Sequence, residues 1–184
     1  MKTNKIYIGL GIIGFVLVLL LVVGIVGREN DALRISDLKK LSLTEKVDRL
    51  EAHLNEEDIS YAAIFGDRLI YGNDHEEIEI ELPSDQFYLS FAPYLNHTHP
   101  CANHNLITCR SELVNETFHV VVQDANGLTI KEGEITTYSN GFAGIWLPKN
   151  IVGTITVAYG DLTATANIET YPTSPTCLTT LELQ

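Results

Sequence analysis

Basic residues are scarce in this 184-residue chain, with 12 Lys and Arg against 24 Asp and Glu and a formal charge of −12. A surface of that sign repels phosphate backbones and argues against a DNA or RNA partner. It favours solubility and attracts cations only loosely, so it does not by itself argue for a metal. There is no glycine-rich phosphate loop and no Gly-x-Ser-x-Gly elbow, and no Ser/His/Asp set can be placed. Internal repeats are lacking, as are low-complexity tracts beyond one apolar run near the start. Cysteine is also sparse. Three are present, an odd number, so at least one thiol is left free, reactive or bound to something.

The apolar run extends from Ile6 to Val26, 21 residues without a charge. A helix of that length spans roughly 30 Å, the thickness of a bilayer's hydrocarbon core. Lys2 and Lys5 precede it and the chain beyond is acidic, which places the N-terminus in the cytoplasm and everything after Gly27 outside. A cleaved signal peptide would have a shorter apolar region and a small-x-small site, whereas this run ends Val23-Gly24-Ile25-Val26-Gly27. The expectation is an uncleaved, single-pass anchor over residues 1–27 with an extracytoplasmic remainder. Removing Lys2 and Lys5 leaves ten basic residues against 24 acidic ones, a formal charge of −14.

Residues 28–75 read as a linker and a small helical part. Ser42-Leu43-Thr44-Glu45 has the form of a capping box, and Val47, Leu50 and Leu54 follow as one apolar stripe of a helix running to about Asn55. A second, weaker helical turn is expected over 57–65. From residue 76 onward the period becomes two. Ile78, Ile80 and Leu82 alternate with Glu77, Glu79 and Glu81, and Phe118, Val120 and Val122 alternate with His119, Val121 and Gln123. Further strands are expected at 87–95, 128–131, 135–138, 142–147, 154–159 and 162–169, with turns at Asp124-Ala125-Asn126-Gly127 and Gly160-Asp161. The predicted class is α+β, with a membrane helix, a small helical segment, and a mainly antiparallel β-sandwich-like domain over 76–184.

One stretch breaks the β rhythm. Residues 96–110 hold three of the six histidines and two of the three cysteines. Pro100 pushes His99 towards an extended conformation, in which His99 and Cys101 face the same side. Cys101 and His104 converge if the chain turns helically between them, and Cys109 and the distant Cys177 could complete the set. Thiolates and imidazoles select soft or borderline ions, and spacing alone leaves copper(I) and zinc both open. A structural disulfide without metal is the alternative. Closing Cys109 to Cys177 would be worth roughly 4 kcal/mol in the chain-entropy model, against roughly 2.5 for Cys101 to Cys109, so entropy favours the long bridge. Thiol redox chemistry is the third reading.

Ser90-Phe91-Ala92-Pro93-Tyr94, followed by Thr98-His99-x-Cys101-x-x-His104-x-Leu106-x-Thr108-Cys109-x-x-Glu112-Leu113, resembles the signature of the CueP family of exported copper-binding proteins. Asn140-Gly141-Phe142-x-x-x-Trp146-Leu147-Pro148 is similar to that family's second block, and Cys177 falls where a third cysteine is expected. The resemblance implies copper ligation by Cys101, Cys109 and Cys177, with His104 next and His99 after it. It also implies a helical N-terminal part with a β domain, a homodimer, a copper-accepting partner, and reduction of Cu(II) to Cu(I). The membrane anchor departs from that family's soluble members. His53, His75, His97 and His119 read as solvent-facing, Trp146 and Tyr94 as packing residues, and the sequons at Asn96 and Asn115 as chance.

Overall fold

Among the described residues the change of period along the chain is realised as two short helices followed by eleven strands. The structure, a computed structural model, describes residues 33–52 and 58–184. The expected anchor over 6–26 lies outside the described residues, as do His53 and Leu54. Among the described residues no helix is long and apolar enough to cross a membrane.

Helix α1 (Ile35–Leu38) leads into α2 (Leu43–Ala52). The capping box forms as expected, the Ser42 amide donating to Glu45 Oε2 at 2.8 Å and the Glu45 amide to Ser42 Oγ at 3.4 Å. Val47 and Leu50 are fully buried. The second helical turn expected over 57–65 is replaced by strand β1 (Tyr61–Ile64), which pairs antiparallel with β2 (Arg68–Gly72). Ala62 and Ile64 face the interior while Tyr61 and Ala63 are half-buried, so the segment does carry period two, over a stretch too short to distinguish from a helix by pattern. With β3 (Glu77–Glu81) on the outer edge and β5 (His104–Asn105) on the other, these strands form an antiparallel sheet of order β3-β2-β1-β5.

The second sheet has order β11-β4-β8, from β4 (Gln86–Tyr94), β8 (Ala143–Pro148) and β11 (Cys177–Glu182). Seven consecutive residues of β4, Phe87 to Pro93, are buried, because both faces of the strand are covered. Phe87, Leu89 and Phe91 point into a core shared with the third sheet, order β10-β9-β6-β7. That sheet comprises β6 (Thr117–Asp124), β7 (Thr129–Thr136), β9 (Val152–Tyr159) and β10 (Leu162–Glu169). Tyr88 points the other way, into a second core with α1, α2, β1, β2 and Leu106.

Two features refine the expected sandwich. β11 runs parallel to β4, with Cys177 opposite Ser90. The two strands expected at 128–131 and 135–138 are one continuous strand, β7, which passes through Gly133 and pairs along its length with β6.

Candidate metal centre

Five candidate ligands were legible in the sequence, and the structure brings four together. The ligating atoms of Cys101, His104, Cys109 and Cys177 all lie within 4.8 Å of one another, with His104 and Cys177 buried and Cys101 and Cys109 half-buried. His99 stands outside this group, its ring edge-on to Phe142 at 6.1 Å between centroids.

Backbone pairing explains the convergence. The Ala102 carbonyl accepts the amides of Thr176 at 2.9 Å and Cys177 at 3.1 Å, which zips the Cys101 loop onto the start of β11. The Thr176 hydroxyl accepts the His104 amide at 3.0 Å and donates to the Ile64 carbonyl at 2.6 Å, tying the same junction to β1. Asn105 then folds the chain back. Its side-chain oxygen accepts the amides of Ile107 and Thr108, and its carbonyl accepts that of Cys109, so Cys109 returns beside His104. Phe142 stacks on the His104 ring at 4.6 Å and, with Ala92, forms an apolar wall behind the sulfurs. Gly141 precedes it at φ +82°, a conformation open to glycine, and its neighbour Asn140 accepts the Ser111 amide on its carbonyl.

The bridge is neither Cys109–Cys177 nor Cys101–Cys109, and its loop is longer than either, so chain entropy does not oppose it. Cys101 is joined to Cys177, 76 positions further on, with Cα atoms 5.6 Å apart, and Cys109 is free. Geometry decides, because Ala102 is the residue paired to the start of β11 while Cys109 lies one turn further on. Cys109 Sγ is 3.8 Å from Cys101 Sγ, so all three sulfurs still share one locus.

The electrostatics are set from below. His104 Nδ1 lies 3.5 Å from Cys177 Sγ, while Nε2 lies 3.0 Å from each oxygen of the buried Glu51. Burial works against the imidazolium, but the Glu51 carboxylate and the Cys109 sulfur outweigh it and push His104 up to about 9. Burial pushes the Cys109 thiol up, yet the hydrogen bond from His104 prevails and holds it below its ordinary range. Glu51 was missed in the sequence. Its signal was there, since residue 51 stands four after Val47 and one after Leu50, a carboxylate beside the apolar stripe of α2.

His75, His97 and His119 face solvent. His119 is exposed, 3.5 Å from Glu132, and His97 is exposed, 3.6 Å from Glu112. Glu112 holds the rim of the loop by accepting the amides of Leu95 and, at 2.8 Å, Asn96. Burial pushes its carboxyl up, but the two amides and His97 outweigh that and keep it below its ordinary 4.5. A folded-state value that is depressed stabilises the tether above 4.5 and loses it only as pH falls through the lower value. The Leu95 and Asn96 amide shifts are therefore expected to titrate in NMR spectra with a midpoint below 4.5. A midpoint at or above 4.5 would contradict the tether.

A donor set of three sulfurs and one imidazole, with no carboxylate among them, suits a soft or borderline cation and not a hard one. The sequence model of the family described as periplasmic copper-binding protein CueP matches residues 45–182. Among solved structures, the crystal structure of S.CueP is 39% identical, with a TM-score of 0.76, and the match covers 81% of this chain and 92% of that one. No curated protein matches the chain.

Proposed function

Because the chain belongs to the CueP family of periplasmic copper-binding proteins, we propose that it captures Cu(I) as cargo outside the cytoplasm, on Cys101, Cys109, Cys177 and His104. The observation that carries this reading is the convergence of four soft or borderline donors within 4.8 Å, two of them half-buried and so reachable from solvent. Thiolates bind Cu(I) strongly, and a low coordination number lets the ion accept whichever donors lie closest. Zinc is the less favoured cargo, since it would require all four donors in a closed tetrahedron. His99, at the edge of Phe142, serves entry to the site and not the final coordination. The uncharged run from Ile6 to Val26 tethers the chain to a membrane, so the copper site works close to that surface.

The test is a titration of the reduced, anaerobic chain with Cu(I) against a competing chelator. One tight equivalent is expected, lost in Cys109→Ser and not displaced by Zn(II). Binding unchanged in Cys109→Ser would sink the reading.

The Cys101–Cys177 bridge favours a second activity of the same cluster, reduction of Cu(II). Two Cu(II) ions take one electron each from the Cys101 and Cys177 thiols. The sulfurs join, two protons leave, and two Cu(I) ions result, one of which the remaining Cys109 thiolate can retain. Mixing reduced protein with Cu(II) should consume one thiol per Cu(I) formed. No thiol loss would exclude this activity.

A further inference from the structure

Among the described residues Glu51 is the carboxylate in direct contact with the cluster's histidine, and its surroundings show what it does there. It is fully buried in the last turn of α2, 53 positions before His104. A buried carboxylate is tolerated only when its oxygens are hydrogen-bonded, and this one accepts from four side chains. The Tyr88 hydroxyl at 3.1 Å and the Ser90 hydroxyl at 3.0 Å reach Oε1, the Asn140 amide reaches Oε2 at 2.8 Å, and His104 Nε2 bridges both. The Asn140 amide cannot be turned round, because its oxygen accepts the Phe142 backbone N–H at 2.8 Å. Three donors from β4 and the 137–142 turn thus fix the carboxylate, and the carboxylate in turn fixes the ring.

The consequence lies on the opposite side of the imidazole. With Nε2–H donated to Glu51, Nδ1 is the nitrogen on the sulfur side, 3.5 Å from Cys177 Sγ, and an incoming ion would take the place of any proton there. We propose that Glu51 is a positioning residue for copper capture, holding the proton of His104 on Nε2 and aiming Nδ1 at the three sulfurs. The assignment rests on the reading above that the cluster holds Cu(I). A ligating imidazole whose far nitrogen is anchored to a carboxylate keeps its tautomer and orientation, and loss of such an anchor ordinarily weakens metal binding ten- to hundredfold.

The test compares the full reduced chain with Glu51→Gln and Glu51→Asp. The aspartate keeps the charge but withdraws the acceptor by one methylene, so it separates positioning from charge and supplies a second variant should the glutamine chain not fold. Leu50→Ala, the neighbouring core residue on α2, serves as the control for lost stability alone. In histidine-15N spectra of the metal-free wild type, His104 should show a downfield, slowly exchanging Nε2 proton, and both Glu51 variants should lose it. Cu(I) affinity should fall ten- to hundredfold in the variants, and the nitrogen ligand should vanish from their X-ray absorption spectra. Leu50→Ala should unfold more easily while keeping affinity and ligand. Folded Glu51 variants with wild-type affinity and an unchanged nitrogen ligand would overturn the assignment. Failure of the wild type to bind Cu(I) would refute the copper reading instead, and the metal-free proton signal would still report whether Glu51 orients the ring.

Discussion

Reducing the Cys101–Cys177 bridge is expected to lower the unfolding free energy by about 4 kcal/mol, and Cu(I) to restore most of it. The bridge spans 76 positions, and a cross-link over a loop of that size withdraws roughly 4.5 kcal/mol of chain entropy from the unfolded state. In a domain of this size such a loss corresponds to a fall in Tm of roughly 10 °C. The same reduction frees two sulfurs beside Cys109 and so completes the donor set. A ligand present at about a thousand times its Kd adds roughly 4 kcal/mol to the folded state, so Cu(I) can replace the covalent link as the clasp between residues 101 and 177. Urea unfolding of the oxidised, the reduced and the reduced Cu(I)-loaded protein measures all three. Copper that stabilised the oxidised form as much as the reduced one would show that Cys101 and Cys177 are not ligands.

Gly144→Ala is expected to cost at least about 2.5 kcal/mol and to weaken Cu(I) binding as well. Gly144 lies on β8 opposite Ser90, and a methyl group there would sit 1.6 Å from the Tyr88 hydroxyl oxygen and 2.2 Å from its ring carbon Cζ. Tyr88 cannot yield cheaply. It is 1% exposed, packs on Trp146 at 5.0 Å and donates to Glu51. Overpacking a core costs roughly 1–3 kcal/mol, and losing a hydrogen bond to a charged group adds roughly 1.5–3. Because the displaced hydroxyl is one of the groups that fix Glu51, the damage should reach His104 without any change in the cluster itself. Denaturant titration gives the first effect and chelator competition the second. A variant as stable as the wild type would mean that Tyr88 has another place to go.

Much of the β domain was readable because its strands are long, solvated on one face and closed by turn residues. The Glu/Ile alternation of 77–81 gave β3, and Asp124 with Gly127 at φ +80° makes the hairpin turn the sequence promised, the Asp124 side chain accepting the amides of Asn126 and Leu128. β1 escaped notice because Tyr61-Ala62-Ala63-Ile64 is short and its small residues blur the period. β11 escaped because its partner lies about 87 positions earlier and runs parallel, so no local turn announces it. The Cys/His loop stood out by composition, and three of its four candidate ligands meet Cys177 in space. The choice of bridge did not follow from composition, since the Ala102 carbonyl decides it through partners more than 70 positions away. Glu51 shows the same limit, because nothing near it in the chain says that its oxygens end beneath His104.

Cys177 opens the last strand, 68 positions after Cys109, and this has a bearing on the making of the protein. Polypeptides grow from the N-terminus, so a nascent or prematurely terminated copy carries two of the sulfurs and lacks the third. It lacks as well the Thr176 hydroxyl that seats His104. The three sulfurs can therefore meet at one locus only after residue 177 has been added, so the grouping is completed by the strand that closes the β11-β4-β8 sheet.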